Sequence, residues 1–551
     1  MTEDTTEPEP AAGEIGLAAE RDRLARLVRE TRLQLTMTQA RLAALEQSAT
    51  LELGRTLVRA AKRPWPRGAQ LPRDLYRMWR SSGGASQAAP ATSPAMLALA
   101  SAQLGDLAGG GERLLSALTA PGLSARAGAA SAPGIAVAGV LTTRACTALA
   151  PDAAVHPLLP HDADILLESC GADLVIIEAA ALLAGSPWAY AVDPAGADRG
   201  RRLARLIAAA RALGKPAIFV RNVPAYLAPG LDWVAASCDA VADGGLGVPL
   251  ALFNPIGLPL MRDSQPVYAG VRDPREAPAV RALLDGVTGD GTAGGPVRVS
   301  GDIPWRQRPA MYREHALFVT ASPEQAHEQR ACGARVVMAD GDQAGLLTRL
   351  AEAAAAGPPD WPEIMAGLRD SYTAHATAAR LGALAGLAGL PDGLISGRQI
   401  ALLASAADAG SAQALRASVL DQRLLPAELV VCAGPDELAR RAVATALSDV
   451  AERGVRVEVI SHPDKDWIGA CAGRAHSGWA APWDAGRGYP GTYLLDLACA
   501  RECSQADAVG YAGATFTFTT FLESPGLARR ELLASQQGLD ASHGPRLFSV
   551  S

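Results

Sequence analysis

From residue 135 onward, short apolar runs alternate with stretches in which apolar residues recur at helical spacing. The first runs that predict strands are Ile135–Leu141, Asp173–Glu178, Pro216–Val220 and Ala240–Ala242. The first stretches that predict helices are Asp162–Ser169, Arg201–Leu213 and Leu231–Ser237. Strands that alternate with helices form parallel sheets, so residues 134–257 are predicted to fold as a Rossmann-like α/β domain.

The same alternation continues to the end of the chain, with a break near residues 393–398. A second group of predicted strands is Gln265–Gly270, Val297–Ser300 and Leu317–Thr320, with helices at Ala277–Asp285 and Pro309–His315 and a helical tail at Asp342–Leu390. A third group has strands at Ile400–Ala404, Glu428–Cys432 and Val455–Ile460, with helices at Ala412–Asp421 and Thr492–Cys503. Residues 258–392 and 398–551 are therefore predicted to be two further α/β domains.

Residues 1–53 combine an acidic leader with a heptad-like seam. The seam consists of Leu24, Val28, Thr31, Leu35, Thr38, Leu42 and Leu45. Spacings of four and three predict a short coiled coil, through which residues 17–49 would form a homo-oligomer. The two threonines weaken such a seam, so a single amphipathic helix docked on the rest of the protein is the alternative.

Residues 54–80 are basic and contain three aromatic residues, Trp65, Tyr76 and Trp79. Arginines interleaved with aromatic side chains are typical of a contact with an anionic membrane surface. The alternative is a solvated basic helix that packs its apolar side on its own protein. Residues 81–133 are rich in Ala, Gly, Ser and Pro, which predicts a linker.

The composition excludes some classes of function. A formal net charge of -6 argues against a general nucleic-acid binder, and no apolar run is long enough to cross a bilayer. The first residues are acidic rather than basic and apolar, so no secretory signal is predicted. The 8 cysteines include no C-x-x-C pair, which favours reduced thiols and a cytoplasmic location. The basic segment 54–80 would add a peripheral contact with the inner face of the membrane.

The segment His327–Met338 has the most specific pattern. Glu328 lies near the end of a predicted helix, Cys332-Gly333 allows a tight turn, and Val336–Met338 enters a buried strand. Ligands bind at the edges of parallel sheets, so this junction is a candidate nucleotide site. Its pattern E-x-x-A-C-G-x-x-V-V resembles an element of glycosyltransferases that have two facing Rossmann-like domains, the GT-B type.

Other motifs occur in a matching order, and with them residues 135–390 resemble the bacterial CgeB-like glycosyltransferases. The motifs are Leu174–Glu178 with Ser186–Trp188, Pro216–Asn222, Phe253–Pro255, Tyr268–Gly270, Glu328 with Cys332-Gly333, and His375 with Arg380 in an H-x-x-x-x-R pattern. The resemblance implies a metal-independent transfer of sugar from a nucleotide-sugar donor. It implies no cofactor and no metal.

The resemblance also implies roles for individual residues. Its donor-binding candidates are Glu328, Gly333, His375, Arg380, Arg221 and Asn222. Glu328 would accept hydrogen bonds from the ribose diol. Glu178, at a strand's carboxyl end, is a candidate catalytic base, with an acid at a helix N-terminus as the alternative. His375 and Arg380 would contact phosphate or, since residues five apart on a helix need not share a face, pack within the domain.

Two segments depart from the family pattern. Arg221–Pro224 contains no acid where the family has a lysine and an acid. Val271–Pro274 replaces a glycine-rich loop and offers fewer free backbone N–H groups to a phosphate. These departures leave the activity of the site open.

Residues 398–551 resemble a family 2 glycosyltransferase domain, the GT-A type. The matching segments are Ser418–Gln422, Glu428–Cys432 and Trp483–Tyr489. Several aspartates normally hold a divalent cation in the last of these segments, but only Asp484 is present here, and Arg487 brings a positive charge. We therefore expect a degenerate GT-A-like domain without a metal, with Arg487 in place of the cation at a diphosphate as the alternative.

Together these patterns predict an α/β protein with two Rossmann-like domains of GT-B type and a C-terminal GT-A-like domain. The expected function is transfer of a hexose-type unit from a nucleotide sugar to a cell-surface glycan or a protein acceptor. The alternative is a non-catalytic pseudo-glycosyltransferase that acts as a scaffold or binding protein in glycan assembly.

Overall fold

The computed structural model describes residues 134–193, 196–223, 230–269, 297–300, 303–391, 398–463, 466–512, 516–522, 524–534 and 545–550. All of them belong to one compact unit of the chain. The predicted coiled coil, basic segment and linker lie outside the described residues. So do the predicted helix Ala277–Asp285 and the segment Val271–Pro274.

The first sheet is parallel and has the strand order β2-β1-β3-β4-β5. Its strands are β1 (Ala136–Val140), β2 (Ala154–Pro157), β3 (Leu174–Glu178), β4 (Ala217–Arg221) and β5 (Ala240–Asp243). Its helices are α1 (Thr143–Leu149), α2 (Ala163–Ser169), α3 (Ala197–Ala212) and α4 (Asp232–Ser237), with a 3-10 turn at Ala179–Leu182. In this order the direction of winding reverses between β1 and β3, where ligands bind in doubly wound sheets.

The second sheet is also parallel, with the order β7-β6-β8-β9. Its strands are β6 (Val267–Tyr268), β7 (Arg298–Val299), β8 (Leu317–Thr320) and β9 (Arg335–Met338). A 3-10 turn at Trp305–Gln307 precedes the helices α5 (Arg308–Glu314), α6 (Pro323–Ala331), α7 (Gln343–Ala355) and α8 (Trp361–Asp370). The strands β6 to β9 thus follow the same order as β1 to β4 of the first sheet. The winding therefore reverses between β6 and β8.

The predicted helical tail Asp342–Leu390 is not continuous. After α7 the sequence Gly357-Pro358-Pro359 stops the helix, because proline cannot donate the backbone hydrogen bond that a helix needs. After α8 the chain makes a π-helical turn at Ser371–His375, becomes extended at Ala376 and begins α9 (Thr377–Leu387). Leu381 and Leu384 of α9 belong to the same core as one face of the first sheet, so the chain returns there.

The third sheet has the order β12-β11-β10-β13-β16-β14-β17-β15. Its strands are β10 (Ile400–Ala406), β11 (Glu428–Ala433), β12 (Arg456–Ser461), β13 (Trp479–Trp483), β14 (Ala508–Tyr511), β15 (Thr517–Thr519), β16 (Ser524–Arg529) and β17 (Leu547–Ser549). Its helices are α10 (Ala409–Leu420), α11 (Glu437–Ala446), α12 (Ser448–Glu452), α13 (Trp467–Arg474), α14 (Tyr493–Ser504) and α15 (Arg530–Ala534). The strands from β12 to β13 are parallel, and β16 is antiparallel to both of its neighbours.

A single apolar core runs from the second sheet into the third. Phe253 and Phe318 belong to the same buried cluster as Trp483 and Phe548. The predicted α/β class with parallel Rossmann-like sheets is confirmed. Within the described part of the chain, every helix is too short or too polar to cross a membrane.

Candidate functional site

Polar side chains meet at the carboxyl end of the first sheet, beside the point where its winding reverses. Glu178 ends β3 and accepts hydrogen bonds from the Thr142 backbone N–H at 2.6 Å and the Thr142 hydroxyl at 3.1 Å. The Asn222 side-chain amide donates to the same carboxylate at 2.8 Å, and its oxygen accepts from the Ala180 N–H at 3.0 Å. Glu178 therefore joins the ends of β1, β3 and β4.

Burial raises the pKa of Glu178, because a charged carboxylate loses its hydration there. Hydrogen bonds from Thr142 and Asn222 and the positive charge of Arg144 oppose this shift. Both carboxylate oxygens already accept hydrogen bonds, which is not the geometry of a helix N-terminal cap. The side chain makes no capping hydrogen bond to the 3-10 turn that follows it.

Arg144 and Glu328 join the carboxyl edge of the first sheet to α6, the helix that follows β8 of the second sheet. Arg144 lies in the first turn of α1, directly after β1, and its Nη2 is 2.7 Å from Glu328 Oε1 on α6. The Trp305 indole N–H donates to the same oxygen at 2.8 Å, and the Arg144 guanidinium lies 5.2 Å from the centre of the Trp305 ring system. A second acid, Glu324, is 3.7 Å from Arg144. The first and second sheets thus face each other at this ion pair.

Glu328 is buried, and only one of its oxygens is used. Glu328 Oε2 is buried and accepts no hydrogen bond in the described structure, whereas Oε1 accepts two. Burial raises the pKa of Glu328, and the nearby Arg144 charge and the Trp305 hydrogen bond counteract that effect. An unpaired buried acceptor is costly, so a hydroxyl donor at Oε2 would be strongly favoured.

Gly333 ends α6 in a Schellman motif. Its N–H donates to the Arg330 carbonyl at 2.9 Å, and the Ala334 N–H donates to the Gln329 carbonyl at 3.0 Å. Gly333 has φ +81, which favours glycine at this position. Because its N–H closes the helix end, this group is not free to bind a phosphate.

The other predicted donor-binding residues surround the crossing between the first two sheets. Arg380 donates to the carbonyls of Asp243 at 2.7 Å and Gly245 at 3.2 Å, so it holds the loop after β5. The exposed Arg221 pairs with the Asp243 carboxylate at 3.0 Å. His375 and Arg380 lie on different elements, because the extended Ala376 separates the π turn from α9.

His375 lies against His327 of α6. Their ring centroids are 3.5 Å apart with an interplanar angle of 21°, and His375 Nε2 is 3.7 Å from Asp370 Oδ2. Burial, together with the neighbouring His375 and Arg330, lowers the pKa of His327 to about 4. The His327 ring is therefore neutral near pH 7.

The third sheet has a different arrangement at its carboxyl edge. Asp484 follows β13, and its carboxylate accepts the Gly486 N–H at 2.9 Å, which closes its own turn. Arg487 is exposed in the same turn. Trp483 and Tyr489 pack with ring centroids 4.1 Å apart beneath it. One oxygen of Asp484 is therefore used within its own turn, and the absence of a metal from this unit stays a prediction.

No protein-family model and no curated protein sequence matches this chain. Its function must therefore be argued from the chemistry of the site.

The sequence did not single out Thr142, Arg144 or Trp305, although all three contact the predicted acids. A usable signal was present for two of them: Thr142-Thr143-Arg144 follows the first predicted strand, and polar residues at that position face the ligand side of a parallel sheet. Trp305 had no comparable signal, because its contact with Glu328 depends on how the chain before α5 folds back.

Proposed function

We propose that the chain binds a nucleotide sugar between its first and second sheets and acts there as a GT-B-type glycosyltransferase. The observation that carries this proposal is the Arg144–Glu328 pair, in which 2.7 Å separates the carboxyl edge of the first sheet from α6 of the second. Both partners lie beside a point where the winding reverses, which is where such sheets bind nucleotides. The return of α9 to the first sheet fits a two-domain enzyme with a cleft between its halves.

Each residue of the ion pair has a role that follows from its contacts. Glu328 Oε2 is an unpaired acceptor, which suits the two hydroxyls of a ribose. Arg144 is partly exposed, with a side-chain exposure of 44%, and its guanidinium can move from Glu328 to a diphosphate. A cation there stabilises the charge that develops on the leaving nucleotide, without a metal.

Glu178 is better suited to positioning than to proton transfer. Its oxygens hold Thr142 and Asn222, so it fixes the loop that carries Arg144. A catalytic base needs an oxygen within hydrogen-bond reach of the acceptor hydroxyl, and both Glu178 oxygens already accept hydrogen bonds from Thr142 and Asn222. We therefore propose that Glu178 positions the loop that carries Arg144 and does not transfer a proton.

The third unit contributes no catalytic group in this proposal. Its continuous core with the second sheet makes it a structural support, and its turn at Asp484 is closed by its own backbone. The parallel strands with an antiparallel extension fit the degenerate GT-A-like domain expected there. A scaffold function of the whole chain is the second candidate, and it is supported by the third unit's sequence, which has only Asp484 where several aspartates would be needed to hold a cation.

The acceptor is proposed to be a cell-surface glycan or a protein, modified on the cytoplasmic side of the membrane. Residues 54–80 would then contact anionic lipid, and residues 17–49 would hold copies of the chain together. A vesicle-binding measurement with the basic residues of 54–80 replaced addresses the first point.

Calorimetric titration of the full chain with UDP, GDP and their hexose derivatives tests the donor site. In Glu328→Gln the amide oxygen can keep its contacts with Arg144 and Trp305, and the NH₂ group then replaces Oε2. The variant therefore presents a donor where the ribose needs an acceptor, and we expect binding to weaken at least about tenfold, or about 1.4 kcal/mol.

Glu363→Gln is the matched control, because Glu363 pairs with Arg335 at the opposite edge of the second sheet. Its donor affinity is expected to equal that of the wild type. Equal affinity in Glu328→Gln as well, or no binding of any nucleotide, would contradict the placement of the site. Binding without hydrolysis or transfer of the sugar would favour the scaffold alternative.

A further inference from the structure

Two histidines and an aspartate lie together where the chain crosses from the second sheet back to the first. His327 is on α6, Asp370 ends α8, and His375 ends the π turn. One nitrogen or oxygen atom of each side chain lies within 4.8 Å of the corresponding atoms of the other two. No motif in the sequence indicated this cluster, because His327 is distant in the chain from its two partners.

The π turn is what brings Asp370 and His375 to the same side. In an α-helix with 3.6 residues per turn, residues five apart point about 140° away from each other. The Ala376 N–H instead bonds the Ser371 carbonyl at 2.6 Å, which is an i to i+5 bond. Such widened turns are rare and are frequently found at functional sites.

His327 supplies the second observation that points to a ligand. Its Nδ1 is buried and makes no hydrogen bond in the described structure. Buried ring nitrogens of this kind normally have a partner, and a neutral imidazole nitrogen with a free lone pair is a metal ligand.

We propose that His327, Asp370 and His375 bind one divalent transition-metal ion of the Zn²⁺ class. Two imidazoles and a carboxylate, with a position left for water, are a common ligand set for such ions. Ligand atoms around Zn²⁺ lie about 3.3 Å apart, so the three side chains must close by at most about 1.5 Å. The two rings are stacked, so one must also rotate about χ2, a torsion with a broad energy minimum in histidine.

An ion at this position would stabilise the crossing between the first and second sheets. The Val248 N–H donates to the His375 carbonyl at 2.8 Å, and the Thr377 N–H donates to the Val248 carbonyl at 3.0 Å. The two chain segments that connect the first and second sheets are therefore paired beside the cluster. An ion held by α6 and the π turn would fix this crossing and limit movement between the two sheets. The site is independent of the proposed donor chemistry.

The test is a titration of the chelator-treated full chain with Zn²⁺ by calorimetry and with Co²⁺ by visible absorption. We expect one ion per chain and a Co²⁺ spectrum of nitrogen and oxygen ligands. His327→Asn and His375→Asn should each weaken binding at least about tenfold, and Asp370→Asn should weaken it less. Zn²⁺ should raise the melting temperature of the wild type but not of His327→Asn.

His161→Asn is the matched control, because His161 is exposed and lies 3.6 Å from its own neighbour Asp162. Its metal affinity should equal that of the wild type. Melting curves in chelator establish that the variants fold. The proposal is overturned if His327→Asn binds Zn²⁺ as the wild type does, if no ion binds, or if the Co²⁺ spectrum shows thiolate ligands, which would place the ion at cysteines.

Discussion

At the scale of single residues, the buried Glu178 is expected to make the stability of the protein depend on pH. Its pKa is raised by burial in the native state, so the native protein holds this proton more tightly than the unfolded chain does. Protonation of Glu178 therefore adds to the free energy of unfolding as the pH falls from the native pKa toward the ordinary value of 4.5. This contribution is lost as the pH rises through the native pKa.

The variant Glu178→Gln removes this proton equilibrium and keeps a side chain of similar shape. We expect the wild type to gain stability relative to the variant as the pH is lowered from 7 toward 4.5. Unfolding in urea at several pH values measures the difference. A difference that stays constant across this range would show that the pKa of Glu178 is not raised.

Arg144 shows why single residues are the hardest part to predict. Nothing near it in the sequence identifies its partner, since Glu328 is 184 positions away. Its place directly after β1 was predictable, but the ion pair also needs the second sheet to face the first. Glu328 was chosen from its sequence pattern, and its donor-binding role stays a prediction.

At the scale of elements, the end of α6 depends on the left-handed backbone of Gly333. A Cβ atom at Gly333 would lie 3.3 Å from Ile364 and from Leu258, in addition to the strain at φ +81. Gly333→Ala should therefore destabilise the protein by about 1–2 kcal/mol through strain, with about 1 kcal/mol more from crowding.

Gly454→Ala is the control for this prediction. Gly454 has φ +86, but a Cβ atom there meets nothing within 4 Å, so only the strain remains. Thermal unfolding of the two variants separates strain from crowding. Equal losses of stability would show that the neighbours of Gly333 yield without cost.

The helical tail after β9 shows the limit of periodicity at this scale. The apolar spacing of Asp342–Leu390 correctly predicted helix, and Pro358-Pro359 marked one break. The π turn contains no proline or glycine that would have indicated it in the sequence. It lies between α8, which packs in the core of the second and third sheets, and α9, which packs on the first sheet, so the backbone adjusts between two packings.

At the scale of the whole molecule, buried ion pairs fasten the third unit to the second. Arg398 donates to both oxygens of Glu502, at 2.8 and 2.7 Å, and also to the Tyr372 carbonyl at 2.7 Å. The Glu502 side chain is only 6% exposed. A second pair, Arg369 with Asp496, crosses the same boundary.

Glu502→Gln leaves the Arg398 guanidinium buried beside an uncharged partner. We expect a loss of about 3 kcal/mol, because a buried charge without its counterion is poorly solvated. In calorimetry the third unit should then melt apart from the rest of the chain. Glu363→Gln, which removes a half-exposed pair, should cost at most about 1 kcal/mol. A similar cost in both variants would show that the Arg398 pair contributes no more stability than an exposed pair does.

The sequence by itself determined the α/β class, the parallel sheets and most strands and helices, because those depend on local spacing of apolar residues. β13 and the end of the third sheet that contains β14 to β17 were missed, since their runs are only three to six residues long. Tertiary structure alone decided which residues meet. The contacts of Arg144 with Glu328, of His327 with His375 and of Arg398 with Glu502 join side chains distant in the chain, and only the packing of sheets and helices brings them within reach.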